Sequence, residues 1–146
     1  GDGKDTVRLK NYIRDNYIKN VKMIKAVSFD EILDYYSITD IFYVQIAKEF
    51  ATALPSKIYE YLATGKPIIL AAPNGPATNL SSIFDGIKII DPENKELLRN
   101  ELKLLKKTNL VSYNNINIIR KKYLREDQAK IFSKLVKTTF NNYLRV

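Results

Sequence analysis

Four neighbouring residues make the strongest case for ligand chemistry: Ser56, Lys57, Ile58 and Glu60. They lie in the stretch "LPSKIYEYLATGKPIILAAPNG", Leu54 to Gly75. Read as local structure, this is a loop, a helix of about three turns, a glycine stop and a buried strand. Pro55 can occupy the first turn, where its missing N–H costs nothing. Gly65 can take the left-handed position after the helix, and Pro67 blocks continuation. The helix start then presents the backbone N–H groups of Ser56, Lys57 and Ile58 at the positive end of the helix dipole, a seat for phosphate. Ile58, Tyr61 and Leu62 share one face. Glu60 lies about 200° from Ile58 on the helical wheel, away from that face. A carboxylate one turn into the helix can accept two hydrogen bonds from a vicinal diol while phosphate occupies the helix start. The same acid can instead pair with Lys57 at i, i+3, a contact worth a few tenths of a kcal/mol.

The rest of the composition narrows the chemistry. The chain has 146 residues, 45% of them hydrophobic and 27% charged, which is ordinary for a globular fold large enough to bury a core without staples. It contains no cysteine and no histidine. That removes disulfides, thiolate metal sites, the usual general base and every Ser-His or Cys-His pair. Carboxylates, lysines, hydroxyls and backbone dipoles remain. No metal or cofactor is expected. The net charge of +8 suits an anionic partner such as a nucleotide, a phosphorylated substrate, a membrane surface or a nucleic acid. It equally suits a solvated surface. "IRKKYLR", Ile119 to Arg125, interleaves basic residues with a tyrosine. It carries the alternative of a basic nucleic-acid- or membrane-surface-binding α/β domain, although no recognised nucleic-acid motif accompanies it. No apolar run reaches the length of a membrane span and no signal peptide opens the chain, so a cytoplasmic protein is the expectation.

The elements that must position the four residues alternate in type. A helix is expected over roughly Asp5 to Lys19, with Leu9, Ile13 and Tyr17 recurring every four residues. "VKMIK", Val21 to Lys25, alternates as a short strand. In "SFDEILDYYS", Ser28 and Glu31 make a capping box, and Ile32, Tyr35 and Tyr36 follow as an apolar face. "DIFYVQIA", Asp40 to Ala47, reads as a strand buried on both faces, and "PIILAA" as another. After a turn at "PNGPATN" come a short helical stretch near Leu80 to Phe84 and the strand "GIKIID". "DPENKELL" reads as a helix start with Asp91 as cap and Pro92 in the first position. Residues 107–146 read as C-terminal helices, with Phe132, Leu135, Val136, Thr139, Phe140 and Tyr143 as a core-facing stripe. This alternation predicts an α/β fold with a mostly parallel sheet, in a single domain over 1–146. In such a sheet ligands sit beyond the carboxyl ends of the strands. Two loops leave such ends: "KAVS", and "KEFATALPSK", which leads into the helix of Glu60.

"ALPSKIYEYLATGKPIILAA" resembles the carboxyl-terminal donor-binding domain of GT-B glycosyltransferases, in particular family 4 and its bacterial surface-polysaccharide members. The order of "GDG", the capped helix ending in "YYS", the acid Asp40 and the strand after it agrees. The resemblance implies a Rossmann-like, mostly parallel sheet with flanking helices and a helical C-terminus. It implies that Glu60 is the second acid of an E-x7-E motif that binds the ribose hydroxyls of a nucleoside-diphosphate sugar. It places Ser56 and Lys57 where backbone amides hold the diphosphate, and Ala26 and Val27 in the loop that frames the base. The family transfers the sugar to an acceptor hydroxyl of a glycan or lipid-linked sugar with retention, usually without a metal. That acceptor site belongs to an N-terminal domain absent from this chain. Work on lipid-linked acceptors also implies a peripheral position at the inner face of the membrane. The first acid of the motif falls on Thr52, with Glu49 three residues earlier, and Pro55 stands where many members have glycine. A nucleotide-sugar epimerase of the same fold is the related alternative, but those enzymes use histidines. The complete domain has strands in the order 3-2-1-4-5-6, and this chain begins after the second. It is therefore expected to be an incomplete, N-terminally truncated domain, inactive alone, that re-pairs its strands or self-associates through exposed sheet edges.

Overall fold

The computed structural model describes residues 3–105 and 111–143, with side chains as far as 138. The chain divides into two compact units, 1–38 and 39–146. In the first unit, α1 spans Thr6–Asp15, shorter than the expected helix to Lys19. It stops because Tyr17 adopts φ +52°. The Ile18 N–H reaches the Ile13 carbonyl at 3.0 Å, and the Tyr17 N–H reaches Arg14 at 3.1 Å, closing a Schellman turn. No glycine announces that stop. The expected strand at Val21–Lys25 is absent: the segment is irregular. Alternation makes a strand only where a neighbour supplies a hydrogen-bond ladder, and none pairs with it among the described residues. The capping box is present. Before α2, Phe29–Ile38, the Ser28 N–H donates to Glu31 Oε2 at 2.8 Å, and the Glu31 N–H donates to Ser28 Oγ at 3.3 Å. Ile32, Tyr35 and Tyr36 are half-buried, as their spacing requires.

The second unit is built on three parallel strands in the order β1-β2-β3: β1 Phe42–Gln45, β2 Ile68–Ala71 and β3 Ile87–Ile90. Phe42 pairs with Ile68, and Ile68 with Ile87, so the carboxyl ends line up. Every residue of β2 is buried. "PIILAA" is thus the central strand, covered on both faces as a continuous apolar run demands. β1 departs from expectation, because Tyr43 and Gln45 are exposed. With helices flanking a parallel sheet, the fold is mixed α/β, as the alternation predicts, and Rossmann-like, as the resemblance implies.

Helix α3, Lys57–Leu62, buries Ile58 and Leu62 completely. Gly65 stops it at φ +71°. A Cβ there would lie within 3 Å of the Ser112 carbonyl and the Val111 side chain. The short helical stretch expected near Leu80 to Phe84 is a 3-10 turn at Thr78–Ser82. Helix α4, Lys95–Leu105, starts later than "DPENKELL" suggests. Asn94 caps it, accepting from the Leu97 N–H at 2.9 Å, while Asp91 accepts from Glu93 in the preceding turn. Leu97, Leu98 and Leu105 pack on Ile69, Ala71 and Ile90.

Helices α5, Tyr113–Lys122, and α6, Arg125–Tyr143, complete the helical C-terminus. The stripe on α6 is not core-facing: Phe132, Leu135 and Val136 are all exposed. Thr139, Phe140 and Tyr143 lie outside the described side chains. Periodicity marks a face that can be buried, and nothing described within this unit covers it. Instead α5 is anchored by a residue that periodicity does not flag. Asn115 is fully buried, accepting from the Asp85 N–H at 2.9 Å and donating to the Asp85 carbonyl at 2.8 Å.

Two outcomes follow from these contacts. Asn115→Ala removes both hydrogen bonds to the Asp85 backbone, so urea unfolding should show a loss of about 1–3 kcal/mol. Glu31 is held below its ordinary value of 4.5 first by the Ser28 N–H and then by the Ser28 hydroxyl. A lowered carboxyl pKa contributes stability above the ordinary value and loses it as pH falls through the folded one. The stability advantage over Glu31→Gln should therefore fade as pH falls below 4.5, read by circular dichroism melts.

Candidate functional site

Because the strands are parallel and in register, the loops after β1, β2 and β3 gather at one edge. The loop after β1, residues 46–56, carries a 3-10 turn at Lys48–Phe50 and delivers the chain to α3. Ser56 stands at the helix start, exposed, and its side chain makes no capping bond. Pro55 lies just before it, and the Ile58 N–H donates to the Pro55 carbonyl at 3.1 Å. That donor is thus already committed within the turn. Ile58 itself is a core residue, 1% exposed.

Glu60 falls where the wheel places it, off the buried Ile58–Leu62 face. Its carboxylate meets Lys57 Nζ at 2.9 Å, with 38% of its side chain still exposed. This is the i, i+3 pair expected of a simple surface contact. It also holds the carboxylate beside the helix start. The neighbours of Glu60 fix the roll of the helix. Tyr61 stacks on Phe42 of β1 at 4.1 Å between ring centroids and 9° between planes. Tyr59 lies 5.0 Å from Tyr123, which in turn sits 5.8 Å from Phe84. Burial, then the neighbouring Tyr123, pushes the Tyr59 hydroxyl pKa up. Ala26 and Val27 belong to the other compact unit, in the irregular segment before α2.

The sequence reading missed three residues at this edge. Lys48 Nζ bonds Glu93 at 3.0 Å, joining the loop after β1 to the turn after β3. Glu93, and more weakly Asp91 and Glu49, hold the Lys48 ammonium above its ordinary pKa. Gly75, in the turn after β2, abuts the loop after β1: an added Cβ would collide with the Ala51 carbonyl. The Gly75 N–H also meets Thr78 Oγ1 at 3.0 Å. The glycine in "PNGP" is a visible signal; its contact, and a salt bridge spanning 45 residues, are not. Thr52 and Glu49 are both exposed on this loop. Among the described residues no group of acids could hold a metal ion.

A family model described as "Glycosyl transferases group 1" matches residues 1–123. The chain belongs to this family. The match includes the strand-end loops, α3 and α5, and ends before α6. No curated protein and no solved structure matches the chain. Among the described residues no helix is long and apolar enough to cross a membrane. In an open α/β sheet ligands sit beyond the carboxyl ends of the strands, and α3 starts at that edge.

If Glu60 is placed for ligand rather than for the fold, its loss should hardly touch stability. Glu60→Ala should change the unfolding free energy by no more than about 0.5 kcal/mol, measured by urea denaturation.

Proposed function

We propose that the chain binds a nucleoside-diphosphate sugar at the start of α3 and serves sugar transfer to an acceptor hydroxyl in surface-polysaccharide or glycan synthesis, in the manner of family 4. The observation that carries this reading is the position of Glu60: half-buried, off the core face, beside a helix start at the carboxyl edge of a parallel sheet. In this reading Glu60 accepts hydrogen bonds from the ribose hydroxyls. The N–H groups of Ser56 and Lys57 hold the diphosphate. Ile58 contributes by burial, since its N–H serves Pro55. Fixed dipoles at the helix start stabilise the charge that builds on the departing diphosphate without having to reorganise. The Lys57 ammonium, drawn in by Glu60, adds positive charge at the same point.

Thr52 stands at the motif's first acid position, so recognition of the sugar ring would fall to other groups on the loop. The exposed basic residues Arg120, Lys121, Lys122 and Arg125 suit an anionic membrane surface that carries a lipid-linked acceptor. The edges β1 and β3 of the described sheet are where self-association would occur.

Titration calorimetry with UDP, GDP and ADP sugars tests the donor site. One base should bind in preference to the others, and Glu60→Ala should weaken it by about tenfold or more, the worth of a hydrogen bond to a charged group. Unchanged affinity in the variant removes Glu60 from the site.

A further inference from the structure

The loop of residues 46–56 is held from two sides by residues outside the E-x7-E pattern. On one side the turn after β2 presses Gly75 against the Ala51 backbone, so closely that no side chain fits between them. On the other, Lys48 reaches Glu93 in the turn after β3. Within the loop the chain is wound on itself. Phe50 donates to Ala47, Ala51 to Lys48, and Ala53 to Phe50 at 2.8 Å. A displacement at Lys48 or Ala51 is therefore passed along to Ser56 and the first turn of α3. The ion pair adds little to the fold: the Lys48 and Glu93 side chains are 55% and 75% exposed, and pairs of that kind hardly stabilise a native state. Gly75 is equally unforced by backbone conformation, because the structure's positive-φ glycines are Gly65 and Gly86. Close approach to Ala51 is the reason for a glycine there.

We propose that Gly75 and the Lys48–Glu93 pair are positioning residues for the nucleotide, a two-sided clamp that sets the loop after β1 and, through it, the donors at Ser56 and Lys57. The inference rests on the donor-binding reading of α3. Positioning is a sensible use for weak contacts, since displacement of a binding group by an ångström costs a ligand far more than it costs the fold. The alternative role for Lys48, direct contact with phosphate, makes the opposite prediction for its partner. Glu93 neutralises Lys48; removing Glu93 would free the ammonium for an anion, whereas it would break a clamp.

The experiment is calorimetry of the chain with UDP, GDP and ADP, beside thermal melts. The variants are Lys48→Met, Glu93→Gln, the two together, the exchange Lys48→Glu with Glu93→Lys, Gly75→Ala and Gly86→Ala. For the bound nucleotide, Lys48→Met and Glu93→Gln should each weaken affinity by about two- to tenfold with the melt unchanged. The double variant should be no weaker than either single one, and the exchange should recover part of the loss. Gly75→Ala should weaken binding, while Gly86→Ala, at the amino end of β3 and at φ +70°, should lower the melt alone. If Gly75→Ala fails to fold, the exposed ion pair still decides. Tighter binding by Glu93→Gln would make Lys48 a phosphate contact and overturn the clamp. So would unchanged affinity in both ion-pair variants, with the donor site itself intact. Equal weakening by the two glycine variants would make the Gly75 effect one of stability and overturn its part. If the unaltered chain binds none of the three nucleotides, the donor reading falls first and the clamp with it.

Discussion

The second unit depends on the complete burial of β2. Ile68, Ile69 and Leu70 are at most 1% exposed, with ladders to β1 and β3 on either side. A strand with no exposed face must be covered twice, and crossover helices between parallel strands supply that cover. α4 covers one patch with Leu97, Leu98 and Leu105, and α3 buries Ile58 and Leu62 in the same unit. Once three parallel strands are in register, their carboxyl ends have to share an edge. The proposed donor site lies where that geometry puts the start of α3, at the end of the loop after β1.

What distinguishes this edge is how firmly the helix is set. Two tyrosines flank Glu60 in sequence, and each ring is held by a different element: Tyr61 by β1, and Tyr59 by the end of α5. Gly65 lets α5 approach the far end of α3, where the Ser112 N–H donates to the Gly65 carbonyl at 2.7 Å. Asn115, one turn further on, fastens α5 to the turn before β3. A helix of six residues has little stability of its own. Its orientation, and therefore the direction of the Glu60 carboxylate, is a product of its neighbours.

Much of this was legible in the residues themselves. Ser28 and Glu31 form the capping box because S-x-x-E is a local device, complete within four residues. Gly65 is left-handed because a helix stop followed by Lys66-Pro67 leaves little else. The off-core placement of Glu60 follows from helical period alone. Val21–Lys25 was misread because alternation reports a capacity for pairing, and pairing requires a partner. The end of α1 was missed because Tyr17, rather than glycine, takes the positive φ. The D-P pattern points to Asp91 as the cap of α4, but Asn94, three residues on, does that work and Asp91 closes the turn ahead.

Short-range pattern is enough to read the α/β alternation, the central strand, the start of α3 and the resemblance to a GT-B-type glycosyltransferase domain, which the group 1 match supports over residues 1–123. Each of those is written in short-range pattern, where propensity, capping and hydrophobic period act over a few residues. Only the tertiary structure decided that Asn115 is buried against Asp85, that Gly75 meets Ala51, and that Lys48 reaches Glu93. Those contacts join residues 24 to 45 positions apart. Nothing local distinguishes such an asparagine, glycine or lysine from one on an open surface, because the partner that gives it meaning is brought near only when the strands align.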